Sequence, residues 1–272
     1  MKISVLIPTY NRKTMVAEAL RKIFSFQPRA YHEVIVSDNH STDGTEKALF
    51  QEFGNQIIFT RPGKHVPAYE NWRHAYLQAT GTHVHFHWSD DWLERNFYHA
   101  AVERLQSSGD TIAVTTARIV EEDGFDSIHY SQGFSRELGW ETALRRLFFE
   151  EGGILPYSPM AYIIKKDLIQ SHWYSELTDM GGVSPITLAI GPDALLVAGA
   201  ILESGKQKMS LQCLSGPYVN FRKHKESITE KNLEHFRLYR HCFDWFIQRH
   251  DVQLSTPPNG EAPKFRLIWP FK

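Results

Sequence analysis

Short apolar runs and helix-periodic stretches alternate along the first 117 residues of the chain. Ile3 to Ile7 (ISVLI) is β-branched, apolar and stopped by Pro8, as expected of a strand buried on both faces. Val16, Ala19, Leu20, Ile23 and Phe24 then recur at helical spacing. EVIVSD predicts a second strand ending at Asp38. The turn NHSTDGT supplies cap and turn residues, with Ser41 as N-cap of a helix through Phe53. QIIFT, HVHFHW and TIAVTTA predict three more strands, with helices over Tyr69 to Ala79 and Leu93 to Leu105 between them. Strands alternating with helices of this length predict an α/β fold, a mostly parallel, doubly wound sheet with right-handed crossovers.

From Arg118 onward the alternation becomes irregular. EEDGFDSIHYSQGF reads as a polar hairpin or loop and Trp140 to Glu150 as an amphipathic helix, and a strand follows Pro159. Glu230 to His250 predicts one helix rich in aromatic residues, and STPPNGEAP a linker.

Ligands of open α/β sheets sit beyond the carboxyl ends of the strands. Three of those ends are polar or acidic here: PTYN after the first strand, SDNHSTDGT after the second and WSDD after the fourth. The predicted sheet brings all three to one crevice. A dinucleotide fold is disfavoured, because the first strand leads into PTYNRK rather than G-x-G-x-x-G and Pro8 removes an amide donor from the turn. The P-loop pattern is absent as well.

Composition narrows the classes further. With 272 residues, 42% of them hydrophobic, the chain can bury one large domain or one domain plus an extension. A net charge of -1 provides no overall field to attract nucleic acid. Cys213 and Cys242 make no disulfide framework and fit a reducing compartment. The first apolar run is too short for a signal peptide, and no run reaches the ~18 residues of a membrane span. The expectation is a soluble, cytoplasmic protein.

The ordered set SVLIPTYNR, VIVSDNHSTDGT, ENWRHAYLQATGTH and FHWSDDW resembles the family 2 glycosyltransferases of the GT-A fold, well over residues 1 to 115 and loosely beyond. The resemblance implies inverting transfer of a sugar from a nucleotide-diphosphate donor, UDP-sugar favoured, to a saccharide or lipid-linked saccharide. Such reactions build bacterial surface polysaccharide: O-antigen, capsule or exopolysaccharide. It implies that Pro8, Thr9, Tyr10, Asn11, Asp38, Asn71 and Asp90 bind the nucleotide, Asp38 accepting from the base. WSDD would then be the metal motif, with Asp90 and Asp91 holding Mn²⁺ or Mg²⁺. The same resemblance implies Asp193 of AIGPDALLVAGAIL as the catalytic base, with Asp179 and Glu203 as fallbacks, and diphosphate contacts from Arg222 and His224 of YVNFRKHKESIT. Three positions depart from the family pattern: Trp88 replaces the first Asp of the metal motif, Asn39 a second acid, and Pro192 the Glu before the base. The implied division is a nucleotide-sugar half over 1–117, an acceptor and base half of the same domain over 118–228, and a C-terminal helix and tail over 229–272.

Chemistry gives these residue types a reason. A departing nucleoside diphosphate develops negative charge, and a hard divalent cation offsets it while needing only one or two protein carboxylates. The acceptor hydroxyl must lose a proton, and a carboxylate is a frequent base. Structural explanations compete at each point. Ser89 can cap the next helix with Asp90 and Asp91 at its positive end, and Pro-Asp is an ordinary helix opening. Arg222 and His224 equally suit a solvated basic loop, and Asn71 adjoins Trp72, a core-packing residue. His83, His85 and His87 share one strand face as zinc ligands might, but a covered central strand favours packed, hydrogen-bonded imidazoles.

The tail KFRLIWPFK mixes Lys264, Arg266 and Lys272 with Phe265, Trp269 and Phe271, which suits peripheral membrane contact, though Pro270 interrupts it and a tail that packs back onto the domain or stays disordered is the default expectation. A non-catalytic nucleotide-sugar-binding scaffold is the alternative function, given the departures at Trp88 and Pro192. A nucleotidyltransferase is disfavoured because no Gly-rich loop follows the first strand.

Overall fold

The first strand, β1 (Ile3–Thr9), is buried along its whole length and serves two cores, with Ile3, Val5 and Ile7 in one and Leu6 in the other. The computed structural model describes residues 1–121, 126–129, 136–149, 155–177, 179–225, 227–235 and 237–254. After β1 come α1 (Lys13–Ser25), β2 (Glu33–Asp38), α2 (Thr45–Phe53), β3 (Ile58–Thr60), α3 (Ala68–Gln78) and β4 (His83–Phe86). β5 (Trp92–Leu93), α4 (Phe97–Ser108), β6 (Ile112–Val120), β7 (Asp126–His129), β8 (Glu137–Leu138) and α5 (Trp140–Phe148) follow. The remaining elements are β9 (Tyr162–Lys165), α6 (Pro185–Leu188), α7 (Pro192–Lys206), β10 (Leu211–Arg222), α8 (Ile228–Lys231) and α9 (Arg237–Arg249).

One sheet runs in the order β3-β2-β1-β4-β9-β6-β10-β5, with β7 beside β6 and β8 beside β10. β1 to β4 are mutually parallel, as predicted. The doubly wound pattern breaks at β9, which lies antiparallel between β4 and β6, and at the antiparallel edge pair β10–β5. The sheet is therefore mixed. β1 runs through Pro8 rather than stopping there. Leu6, and hence Pro8 two residues on, turn their backbones toward β4, whose pairing ends at Leu6↔Phe86, so the missing amide breaks no ladder bond.

Helices cover both faces. α1, α2 and α4 pack on one core, while α3, α5, α7 and α9 pack on the other. α7 is buried on nearly every side, which suits a run such as ALLVAGAIL. Two predicted helices start later than expected. Ser41 to Gly44 belong to a loop, and α2 begins at Thr45. Trp92 and Leu93 join the sheet edge through Asn220↔Trp92 and Val219↔Leu93, so α4 begins at Phe97. The single helix predicted over 230–250 is divided among α8, a 3-10 turn at Leu233–His235 and α9. Among the described residues no helix is long and apolar enough to cross a membrane. The KFRLIWPFK tail lies outside the described residues, as do 122–125 and 130–134 of the EEDGFDSIHYSQGF segment, whose residues 126–129 form β7 antiparallel to β6.

Candidate active site

The loops after β1 and β2 form one rim because their side chains cap each other's backbone. The Asn11 amide donates to Ser41 Oγ (2.8 Å), the Thr42 amide to Asn11 Oδ1 (2.7 Å) and the Lys13 amide to Asp43 Oδ2 (2.9 Å). Asn11 sits at φ 49°, a left-handed conformation that Asn tolerates. Pro8, Thr9, Tyr10 and Asn11 all line a cavity of about 1130 Å³ at the carboxyl ends of the strands. Tyr10 is half-exposed, its ring 4.7 Å from that of His65. Asn71 also lines the cavity. Its amide ties α3 to β2, accepting from Ser37 Oγ (2.6 Å) and donating to the Ser37 carbonyl (3.0 Å).

Asp38 differs from expectation. It is fully buried, does not line the cavity, and is paired to Arg61 at 2.7 Å, while its Oδ2 also accepts from the Ser41 amide. The side chain at the cavity wall is that of Asn39, which exchanges two hydrogen bonds with the Val66 backbone (2.7 and 3.0 Å). A charge at the end of a buried strand needs a partner, and Arg61 lies far enough along the chain for the pairing to escape a sequence reading.

WSDD is not a helix start. Asp90 and Asp91 lead into the edge strand β5, and the N-cap of α4 is Asn96, so helix capping does not explain the two acids. Both are buried and both line the cavity. Asp90 Oδ2 receives Arg12 at 2.6 Å and His224 Nε2 at 2.9 Å. Burial pushes the Asp90 carboxyl up, but the His224 hydrogen bond and the Arg12 charge outweigh it and hold the group below the usual carboxylate range. Asp91 is pushed well above that range by burial and by the charge on Asp90, although its Oδ1 accepts from the Arg222 amide at 2.8 Å. Two neighbouring acids of which one is driven to hold a proton are a pair that a divalent cation would relieve. Among the described residues no three His, Cys, Asp or Glu side chains form a ready-made cage. A cation carrying a diphosphate needs only one or two carboxylates, and this oxygen pair fits Mg²⁺ or Mn²⁺.

Asp193 opens α7 after Pro192 and lines the same cavity. Gly191 turns the chain into the helix at φ 97°, with Cys242 so close that a Cβ there would lie 2.5 Å from its sulfur. Tyr239 of α9 donates to Asp193 Oδ2 at 3.0 Å, and Oδ1 is buried without a hydrogen-bond partner. Burial lifts the Asp193 carboxyl to about 6. The fallback acids are elsewhere: Asp179 is exposed, Glu203 binds Lys206 at 2.7 Å, and neither lines the cavity.

Arg222 and His224 take parts that their spacing did not disclose. Arg222 lines the cavity, but its guanidinium lies over Trp92 (5.4 Å) and reaches Glu18 at 3.4 Å. His224 stands behind Asp90 rather than in the cavity wall. The strand histidines are packed groups. His85 bonds Tyr98 Oη (3.0 Å) and the Met160 carbonyl (2.8 Å), and burial depresses it to about 3. His87 bonds the Trp88 carbonyl (2.8 Å) and burial depresses it to about 4.

Sequence reasoning missed Arg12 and a set of aromatic side chains. Arg12 follows PTYN directly, yet only the fold brings it to Asp90, across 78 positions of sequence. Trp72, Trp88, Tyr157 and Tyr239 line the cavity, and at helical or strand spacing each reads as core.

With this geometry, the chain belongs to glycosyl transferase family 2, whose family model matches residues 4–170. It is similar to the abequosyltransferase RfbV of Salmonella typhimurium, 32% identical over 114 residues, which is 40% of this chain and 34% of that one. The match thus spans about a third of that relative's length. Among solved structures, S. aureus TarS 1-349 in complex with UDP-GlcNAc superposes with a TM-score of 0.71 at 19% identity, covering 94% of this chain and 69% of that chain. S. aureus TarS gives 0.67 at 18% identity, covering 94% and 41%. These structures share the GT-A fold with this chain.

Proposed function

We propose that the chain transfers a sugar, with inversion, from a nucleotide-diphosphate donor to a hydroxyl of a saccharide or lipid-linked saccharide, in the assembly of a bacterial surface polysaccharide. One observation carries this reading: a buried carboxyl lifted to about 6, Asp193, shares a single cavity with the coupled acids Asp90 and Asp91. A base poised near neutrality beside a place for a metal-bound diphosphate is what such a transfer requires. The TarS structure holds UDP-GlcNAc, and sugar transfer is the activity in the name of the Salmonella relative; both support a nucleotide-sugar donor for this chain.

In this reading the rim from Pro8 to Asn11, with Asn39 and Asn71 behind it, borders the nucleoside. Asp38 acts at one remove, by fixing Arg61 and the loop at Ser41. Asp90 and Asp91 would hold Mg²⁺ or Mn²⁺, which supplies positive charge to a departing nucleoside diphosphate. Arg12 offsets the charge on Asp90, and the Arg222 amide fixes Asp91. Asp193 accepts the acceptor hydroxyl's proton while Tyr239 holds its Oδ2. The freed oxygen forms its bond to the anomeric carbon as the bond to the diphosphate breaks on the opposite face, and the configuration inverts.

The test is calorimetry with UDP, CDP, GDP and dTDP, each with and without Mn²⁺, on the full chain. One nucleotide should bind more tightly with metal, and Asp193→Asn should keep that binding while losing donor turnover. Turnover that survives Asp193→Asn removes the base assignment; binding without any turnover in the unaltered chain leaves a scaffold.

A further inference from the structure

The two donors on Asp90 Oδ2 differ in their freedom to leave it. His224 Nε2 reaches the oxygen at 2.9 Å from a side chain only 5% exposed, and His224 does not line the cavity. Arg12 Nη1 reaches it at 2.6 Å from the cavity side, and that side chain is 22% exposed. On Asp91, Oδ1 already accepts from the Arg222 amide at 2.8 Å. A divalent cation shared by these two acids thus meets an oxygen that already holds a guanidinium. Positive charges crowded on one buried carboxylate repel each other, and Arg12 is the donor with room to withdraw. Its backbone is pinned. The Asn11 and Lys13 amides on either side are fixed to Ser41 Oγ and Asp43 Oδ2, and the Arg12 carbonyl accepts from the Val16 amide of α1 at 2.9 Å. The side chain therefore swings alone, inside the cavity that Arg12 shares with Asp90 and Asp91.

We infer that Arg12 balances Asp90 until a donor binds, and exchanges it for the diphosphate of a metal-bearing nucleotide sugar. Arg12 is then a catalytic residue that touches the leaving group, a role that rests on the sugar-transfer reading of the same cavity. A planar guanidinium offers paired N–H donors that match phosphate oxygens. Asp43, on the same rim, already accepts from the Lys13 and Thr45 amides, whereas a diphosphate at the acid pair brings new oxygens beside Arg12. As the bond from the anomeric carbon to the diphosphate breaks, charge builds on the departing phosphate, where a fixed cation is worth most. The exchange also spares Asp90 from standing as a buried charge without a cation at any stage.

The experiment reads the two positions of Arg12 separately and needs no acceptor. Mn²⁺ alone, followed by the paramagnetic resonance of the free ion, should bind Arg12→Gln about 10-fold or more tightly than the unaltered chain, because no charge-assisted bond has to break. Calorimetry at saturating Mn²⁺ then compares UDP, CDP, GDP and dTDP. For the accepted base, Arg12→Gln should lose about 10- to 100-fold in diphosphate affinity, while the parent nucleoside, read by competition, should bind as before. Arg12→Lys keeps the charge without the fork; it should hold Mn²⁺ as the unaltered chain does and recover only part of the diphosphate affinity. Metal binding that tightens while diphosphate binding weakens is a pattern that a loosened rim would not produce. Mn²⁺ that binds Arg12→Gln no more tightly overturns the inference, as does diphosphate affinity that survives the change. A parallel loss of Mn²⁺, nucleoside and diphosphate affinity also overturns it, leaving Arg12 a support of the rim. Each of these outcomes leaves nucleotide binding by the unaltered chain intact and so sinks this inference alone; if UDP, CDP, GDP and dTDP all fail to bind that chain, the sugar-transfer reading falls with it.

Discussion

The hydroxyl of Tyr239 donates to Oδ2 of Asp193 at 3.0 Å, joining α9 to the first turn of α7. The bond favours the ionised carboxylate, whereas burial opposes it. Tyr239→Phe removes the bond and keeps the ring on Tyr157. The acidic limb of the rate–pH profile, expected near 6 in the unaltered chain, should move to higher pH in the variant. A limb that stays in place means another group controls it.

Asp193→Asn should trade activity for stability. The folded carboxyl titrates at about 6, above the ordinary ~3.9 of Asp, so the stability given by the neutral form is complete at low pH and lost as pH rises through 6. Two pK units correspond to about 3 kcal/mol at pH 8. The amide has no charge to bury. Urea unfolding at pH 8 should show the variant ~1–3 kcal/mol more stable, with no gain at pH 4, while turnover falls about 10²–10⁴-fold.

Arg12→Gln should leave Asp90 with His224 as its remaining side-chain partner. The Asp90 carboxyl should then titrate higher, and stability at pH 7 should drop by about 1–3 kcal/mol, since a buried charge loses a charge-assisted bond. Nucleotide binding should become more dependent on Mn²⁺, because the cation then provides the charge that Arg12 did. Identical Mn²⁺ titrations of the two proteins would dismiss this role.

Gly199→Ala sets helix propensity against packing. Inside a helix Ala is worth roughly 0.5–1 kcal/mol over Gly. A Cβ at Gly199, however, would lie 2.3 Å from His172 Cγ, and His172 is buried among Gly199, Tyr174 and Glu203. Displacing it should outweigh the propensity gain, for a net loss of about 1–3 kcal/mol in thermal unfolding.

Local pattern revealed β1, β2, α1, α3 and the polar strand ends, because each depends on periodicity within a dozen residues. Partners supplied from elsewhere in the chain stayed hidden. Leu93 looked helical until β10 took its backbone into the sheet edge. Asp38 looked like a nucleoside contact until Arg61 neutralised it. The aromatic residues of 236–246 gave no sign that Tyr239 would hold a carboxylate rather than fill a core. At WSDD the sequence offered both capping and ligation, and β5, two residues long, removes capping as the explanation.

The reversed strand β9 has a bearing on biosynthesis. On a ribosome the edge of β4 emerges after residue 86, but the segment that covers it, Tyr162–Lys165, is made some 75 residues later. During that interval the nascent chain presents an open, apolar strand edge of the kind that pairs with strangers. Translation past Lys165 closes it from within, so a messenger truncated near codon 117 should yield a fragment that needs chaperone shelter rather than a small independent nucleotide-binding unit.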